Sequence, residues 1–271
     1  FSYRKHFTSL SSNQDKILET RRKMKRKFSE RHLKSPDTLA IIPVRNRKFK
    51  GESWPLFSYE GKNILDRRIE SCLNSKNINH LMVTTSDSVI LDYLYQNYAN
   101  QAGITILERS EKLASLDAKL DKTIHFALDN YPKTPEAIVV ALVEYPFLST
   151  ELIDEALDTL VIFDSESLIS VKTSKGPYYR HNGKTLKAIF DQDKYTSYER
   201  EALYESVGGI MVSTLEAFKK NNRLIGDRVS HLLVNDEHSF GVLNDFKFKL
   251  FKYLIQSKNV DVETENSVLR N

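Results

Sequence analysis

From Thr38 the chain reads Thr-Leu-Ala-Ile-Ile-Pro, a run short enough and β-branched enough for a buried strand, which Pro43 ends because proline removes a ladder donor. The loop after it carries Arg45, Arg47, Lys48 and Lys50 within six residues and then Gly51. Ile64, Leu65, Ile69 and Leu73 next set a helical period. Strand, cationic loop, helix is the order that holds a nucleotide triphosphate in an α/β protein, because the loop lies at the carboxyl end of the strand and aims donors at phosphate oxygens. A solvated surface turn is the other reading of four clustered cations.

Downstream, apolar runs and helical periods alternate. Strands are predicted at 38–43, 80–85, 104–107, 137–143 and 166–172, and helices at 63–75, 88–99, 117–129 and 150–161. That alternation predicts a mostly parallel sheet with helices on both faces, in three layers, nearly every connection having room for a right-handed crossover. Between 175 and 200 the character changes. Gly176-Pro177-Tyr178-Tyr179 and His181-Asn182-Gly183-Lys184 read as two short strands about a turn, since Asn-Gly favours the positive φ angles of a hairpin. Such an excursion from an α/β core tends to meet another subunit. A strand at 207–212, a helix near 214–220, an edge strand within 226–234 and a last helix from Asn244-Asp245 follow, and from Ser257 to 271 a polar tail is expected to fray.

With 271 residues, 40% of them hydrophobic, the chain can bury a sizeable core. No apolar run reaches the roughly eighteen residues of a membrane span, and no signal-peptide pattern is visible, so a soluble cytoplasmic protein is expected. The single cysteine, Cys72, has no partner for an internal disulfide and reads as a small core residue in a reducing compartment. The net charge of +4 is uneven: residues 1–34 hold eleven Lys/Arg against three Asp/Glu, and the remainder is acidic, with 29 against 33. Residues 1–37 therefore form a basic arm, with Ile17, Met24 and Phe28 at near-helical spacing. Its candidate roles are a packing or linker helix to an upstream domain, a nucleic-acid contact or an anionic membrane contact. The absence of aromatics within the basic run argues against nucleic acid. A chain opening on Phe1 suggests a processed protein or a fragment.

Several segments, in order, carry a family resemblance. Ile41-Ile42-Pro43-Val44-Arg45 and Gly61-Lys62-Asn63-Ile64-Leu65 resemble the opening of the acylneuraminate cytidylyltransferase family. Val83-Thr84-Thr85-Ser86-Asp87, Leu107-Glu108-Arg109-Ser110-Glu111-Lys112-Leu113-Ala114, Ile153-Asp154-Glu155-Ala156-Leu157 and Gly208-Gly209-Ile210-Met211-Val212 resemble later family segments. The likeness spans roughly 38–256. It implies a Rossmann-like nucleotide-diphospho-sugar transferase fold, a homodimer built on the 175–200 excursion, and CTP, Mg²⁺ and a sialic-type sugar acid as cofactor and substrates.

Within that resemblance Arg45 and Lys50 are the candidate catalytic residues. Arg45, Asn46, Lys48, Lys50 and Asp87 are the candidate nucleotide-binding set. Asp87 has a second reading as a helix cap. Arg109, Ser115 and Arg200 are candidates for the sugar acid, and Glu144 and Asp245 for the metal, with a solvated glutamate and a first-turn acid as the alternatives. The sequence departs from the family where Asn46 and Arg47 replace glycines, where Trp54-Pro55 replaces a Lys-Asn pair, and where Leu142-Val143-Glu144-Tyr145-Pro146 replaces the usual central loop. Two functional readings follow. One is an enzyme that transfers CMP from CTP to a sugar acid. The other is a catalytically lapsed nucleotide-binding or scaffold domain of a larger glycan-biosynthesis protein.

Overall fold

The computed structural model describes residues 14–115, 117–174, 178–189 and 203–268, with side chains described from 15 to 257. An arm helix, α1 (Gln14–His32), precedes β1 (Thr38–Pro43). Two small hairpins, β2 (Lys48–Phe49) with β3 (Glu52–Ser53) and β4 (Ser58–Tyr59) with β5 (Lys62–Asn63), lead to α2 (Ile64–Leu73). There follow β6 (His80–Thr85), α3 (Ser88–Tyr98), β7 (Ile104–Glu108), α4 (Glu111–Ala114), α5 (Leu120–Asp129), β8 (Ala137–Ala141), α6 (Thr150–Ile162) and β9 (Ser167–Ser174). A hairpin of β10 (Tyr179–His181) and β11 (Leu186–Ala188) leaves the core, and β12 (Leu203–Thr214), α7 (Leu215–Asn221), β13 (Val229–Leu233) and α8 (Asp245–Val268) complete the chain.

Seven strands form the central sheet in the order β13-β9-β12-β8-β1-β6-β7. β12 runs against its neighbours β8 and β9, and the other pairings are parallel. The reversal has a simple cause: the excursion after β9 returns the chain directly beside the strand it left, which needs no crossover. Both faces of the sheet are covered, so β1 shows no polar alternation. Ala40 and Ile42 pack with Leu65, Ile69, Ile153 and Phe248, while Leu39 and Ile41 pack on the other face with Ile124, Ala127 and Phe218.

Several boundaries differ from the sequence reading: the strand expected at 137–143 ends at Ala141, and the one expected at 207–212 runs from Leu203 to Thr214. The helix expected from 117 begins at Leu120, because Ser115 and Lys119 are both extended, and Ala118 instead lines the site described below. The last helix extends through Val268, past the boundary expected at Ser257, as no glycine or proline interrupts it. The arm is a packing helix. Arg22 and Lys25 both reach the buried Glu155 of α6, and Arg26 reaches Asp158. Facing an acidic surface, α1 turns its cations inward and leaves Met24 67% and Phe28 50% exposed.

Candidate active site

The loop after β1 is held by apolar anchors. Val44 N–H donates to Thr84 O at 2.8 Å, keeping the loop beside β6. Phe49 is buried and stacks on Phe248 with ring centroids 5.4 Å apart. Lys50 (φ 49°) and Gly51 (φ 86°) close the β2–β3 hairpin through two successive positive φ angles. Trp54, fully buried, donates its indole N–H to Val143 O at 3.0 Å. The loss of the family's Lys-Asn pair thus places a rigid strut between the hairpin and the β8 loop. Lys48 and Lys50 are exposed on the hairpin and line neither cavity of the site.

Two cavities of about 220 and 300 Å³ share Arg45 as a wall. The smaller is lined by Arg109, Thr123 and Glu144 among others, the larger by Asn46, Arg47, Asp87 and Glu111. Arg45 donates from Nη2 to Ser115 O at 2.7 Å, so Ser115 acts here through its main chain. Asn46 is a bridge: its Nδ2 donates to Asp87 Oδ1 at 3.1 Å and its Oδ1 accepts from Ser53 Oγ at 2.6 Å. Asp87 also caps α3, accepting from Ile90 N at 3.1 Å, which is the structural role weighed for it.

Arg109 is 3% exposed and spends its fork on the backbone, donating to Val44 O at 2.8 Å and to Thr84 O. It clamps the carboxyl ends of β1 and β6 together. Burial, with help from Arg45, lowers its pKa to about 10, while Glu144 opposes the shift. Glu144 stands just past β8 and its Oε2 is buried with no hydrogen-bond partner. Burial raises the pKa of this carboxyl, and the positive charges of Arg47, Arg45 and Arg68 pull the other way. Asp245 is an exposed first-turn acid of α8, and Asn244 supplies the cap by accepting from Lys247 N at 2.9 Å. Arg200 lies outside the described residues. Among the described residues no group of three or more His, Cys, Asp or Glu is arranged to hold a metal alone.

Two cations outside the candidate set also belong to the site. Arg47, one of the four loop cations and a departure from a family glycine, lines the larger cavity and donates to Leu243 O at 3.1 Å, linking the loop to the approach to α8. Arg68 is buried on α2 beneath Glu144's loop. Its only sequence signal is a charge on the helix face otherwise made by Ile64, Leu65, Ile69 and Cys72.

A mostly parallel sheet with a cationic loop and a half-buried carboxylate at its carboxyl edge is the arrangement of an α/β protein that handles the phosphates of a nucleotide. The chain belongs to the cytidylyltransferase family, whose family model, described as Cytidylyltransferase, matches residues 40–206. A curated relative, the 3-deoxy-manno-octulosonate cytidylyltransferase of Thermodesulfovibrio yellowstonii, is 25% identical over 190 residues, covering 68% of this chain and 70% of that protein. Among solved structures, 4-diphosphocytidyl-2C-methyl-D-erythritol synthase from Anaerococcus prevotii aligns with a TM-score of 0.59 and 13% identity over 81% of this chain and 96% of its own. A CMP:2-keto-3-deoxy-manno-octonic acid synthetase complexed with CTP aligns with a TM-score of 0.57 and 11% identity, over 82% and 99%. At such identities these structures speak for the fold. No helix among the described residues is long and apolar enough to cross a membrane.

Proposed function

We propose that this chain transfers CMP from CTP to an eight- or nine-carbon sugar acid and releases pyrophosphate. The observation that carries the reading is Glu144, a carboxylate with an unpartnered buried oxygen on the cavity that also holds Arg45 and Arg109. A hydroxyl oxygen of the acceptor forms a bond to the α-phosphorus while the bond to the β-phosphate oxygen breaks. The hydroxyl proton passes to water and pyrophosphate leaves. No protein nucleophile is required. Arg45 and Arg47 supply forked donors to the phosphate oxygens, and Arg109 keeps the two strand ends that present them in register.

One carboxylate with a free oxygen fits Mg²⁺, which takes few protein ligands and completes its shell from phosphate and water oxygens. When bound, the ion supplies positive charge to the phosphates. Glu144 would hold it, with Asp245 on α8 as the second candidate. The protruding β10–β11 hairpin, on which Tyr179 and Leu186 are more than half exposed, supports a homodimer contact. A cytoplasmic location, where CTP is available, goes with this reading.

Pyrophosphate release measured with CTP, Mg²⁺ and a panel of sialic-type and deoxy-octulosonic acids tests the proposal. Turnover with one of these acids, lost in Glu144→Gln, is expected; a folded protein silent across the panel overturns it. A nucleotide-binding scaffold is the second reading, favoured by the exposure of Lys48 and Lys50 outside both cavities. Calorimetry showing metal-dependent CTP binding without turnover on any acid would select it.

A further inference from the structure

The segment that carries Glu144 has left β8 and does not re-enter a ladder, yet its carbonyls are taken one after another. Val143 O accepts from Trp54, and Glu144 O accepts from Val242 N at 2.8 Å. Tyr145 O and Leu148 O both accept from one guanidinium, that of Arg68, at 2.5 and 3.2 Å. The ring of Tyr145 fills the space left by Gly209 and Gly241, where an added Cβ would come within 3.0 and 2.9 Å of ring atoms.

Arg68 is 2% exposed and its Nε has no hydrogen-bond partner. Its Nη atoms meet two carbonyls and, at 3.3 Å, the Ser71 hydroxyl, with no carboxylate among the described residues hydrogen-bonded to it. A buried cation without a bonded anion is unfavourable on packing grounds alone, and an apolar side chain there would serve the core better. Arg68 and Glu144 attract one another electrostatically. Trp54 and Val242 tether the same loop without charge. Arg68 both fixes the loop and faces its carboxylate with positive potential.

We infer that Arg68 is a positioning residue for Glu144: its fork on Tyr145 O and Leu148 O sets where the Glu144 carboxylate stands in the cavity. The inference rests on the reading of Glu144 as the carboxylate that holds the divalent ion. Residues that orient a ligand without touching the metal change metal affinity by about 10–100-fold when removed.

The test measures Mn²⁺ binding in the presence of CTP by electron paramagnetic resonance, together with the Mg²⁺ dependence of turnover and thermal melting. The proteins are wild type, Arg68→Met, Arg68→Lys, Glu144→Gln and the double variant Arg68→Lys/Glu144→Gln. Expected is a Mn²⁺ affinity about tenfold or more weaker in Arg68→Met. Arg68→Lys should fall between it and wild type, and should cause no further loss on the Glu144→Gln background. If Arg68→Met does not fold, Arg68→Lys decides. Folded Arg68 variants with wild-type Mn²⁺ affinity overturn the inference, as do losses that add to those of Glu144→Gln. Wild-type protein that binds no Mn²⁺ with CTP instead overturns the role given to Glu144, and Arg68's role falls with it.

Discussion

Arg45 and Ser115 join two loops that are seventy residues apart: the guanidinium leaving β1 donates to the Ser115 carbonyl at 2.7 Å. One arm of the fork is thereby fixed, and the side chain becomes the shared wall of both cavities. Under the proposed activity, Arg45→Ala is expected to lower kcat/KM by about 10²–10³-fold, the usual loss when one donor to developing charge is removed. Arg45→Lys should recover little, since an ammonium cannot bond Ser115 O and a phosphate in the same planar geometry. Steady-state kinetics on pyrophosphate release, with melting curves unchanged, checks this.

Gly209 sits within the irregular stretch of β12 between Ser206 and Met211. A Cβ there would lie 2.4 Å from Leu148 Cδ1 and 3.0 Å from Tyr145 Cγ. Gly209→Ala is therefore expected to destabilise the protein by about 1–3 kcal/mol through overpacking. Because the displaced atoms belong to the loop of Glu144, activity per folded molecule should fall as well. Urea denaturation and kinetics on the same preparation separate the two effects.

Glu155 receives both Arg22 and Lys25 and is 6% exposed, whereas the two cations are about a quarter exposed. Glu155→Ala leaves those charges to be rehydrated, with an expected loss of about 1–2 kcal/mol once their solvent access is allowed for. The arm should loosen from α6, and trypsin should cleave within 21–27 at a dilution that spares the wild-type protein. Turnover is expected to be unchanged, because α1 lines neither cavity of the site.

Cys72 is fully buried, and burial pushes its thiol up to about 11 from an ordinary value near 9. Below pH 9 both folded and unfolded thiols are protonated, and the group contributes no pH dependence. Between about 9 and 11 the unfolded thiol ionises first, so the unfolded chain binds fewer protons and stability falls as pH rises, by at most about 1.4 kcal/mol per pH unit. Urea midpoints across that range should decline in the wild type and less in Cys72→Ala. At pH 8 an aromatic disulfide reagent should label the thiol only after denaturation.

The architecture was legible because apolar period and punctuation act locally. Leu39-Ala40-Ile41-Ile42 ended by Pro43 reads as a strand buried on both faces, and it is one. The strand at 80–85 and the helix opening at Ser88, capped by Asp87, are equally local facts. Arg45, Asn46, Asp87, Arg109 and Glu144 were singled out from a family likeness, and the fold gathers them around two adjoining cavities. Lys48 and Lys50 have the same charge and nearly the same position in sequence, yet they stand outside. The difference lies in Phe49, whose burial against Phe248, 199 residues on, decides which way the hairpin faces.

The order of the main strands and helices, the cationic loop and the acidic domain beneath a basic arm were determined by sequence alone, since propensity, period and charge are properties of neighbouring residues; the two hairpins of 48–63 and the short helix Glu111–Ala114 were not. Tertiary structure alone decided that Trp54 replaces a lost charge with a strut, that Arg109 spends its fork on two strand ends, and that Arg68 lies under the loop of Glu144. Each of those depends on a carbonyl or cavity supplied by a distant part of the chain. Direction and burial of a side chain follow from three-dimensional packing, which the order of residues encodes only through the fold as a whole.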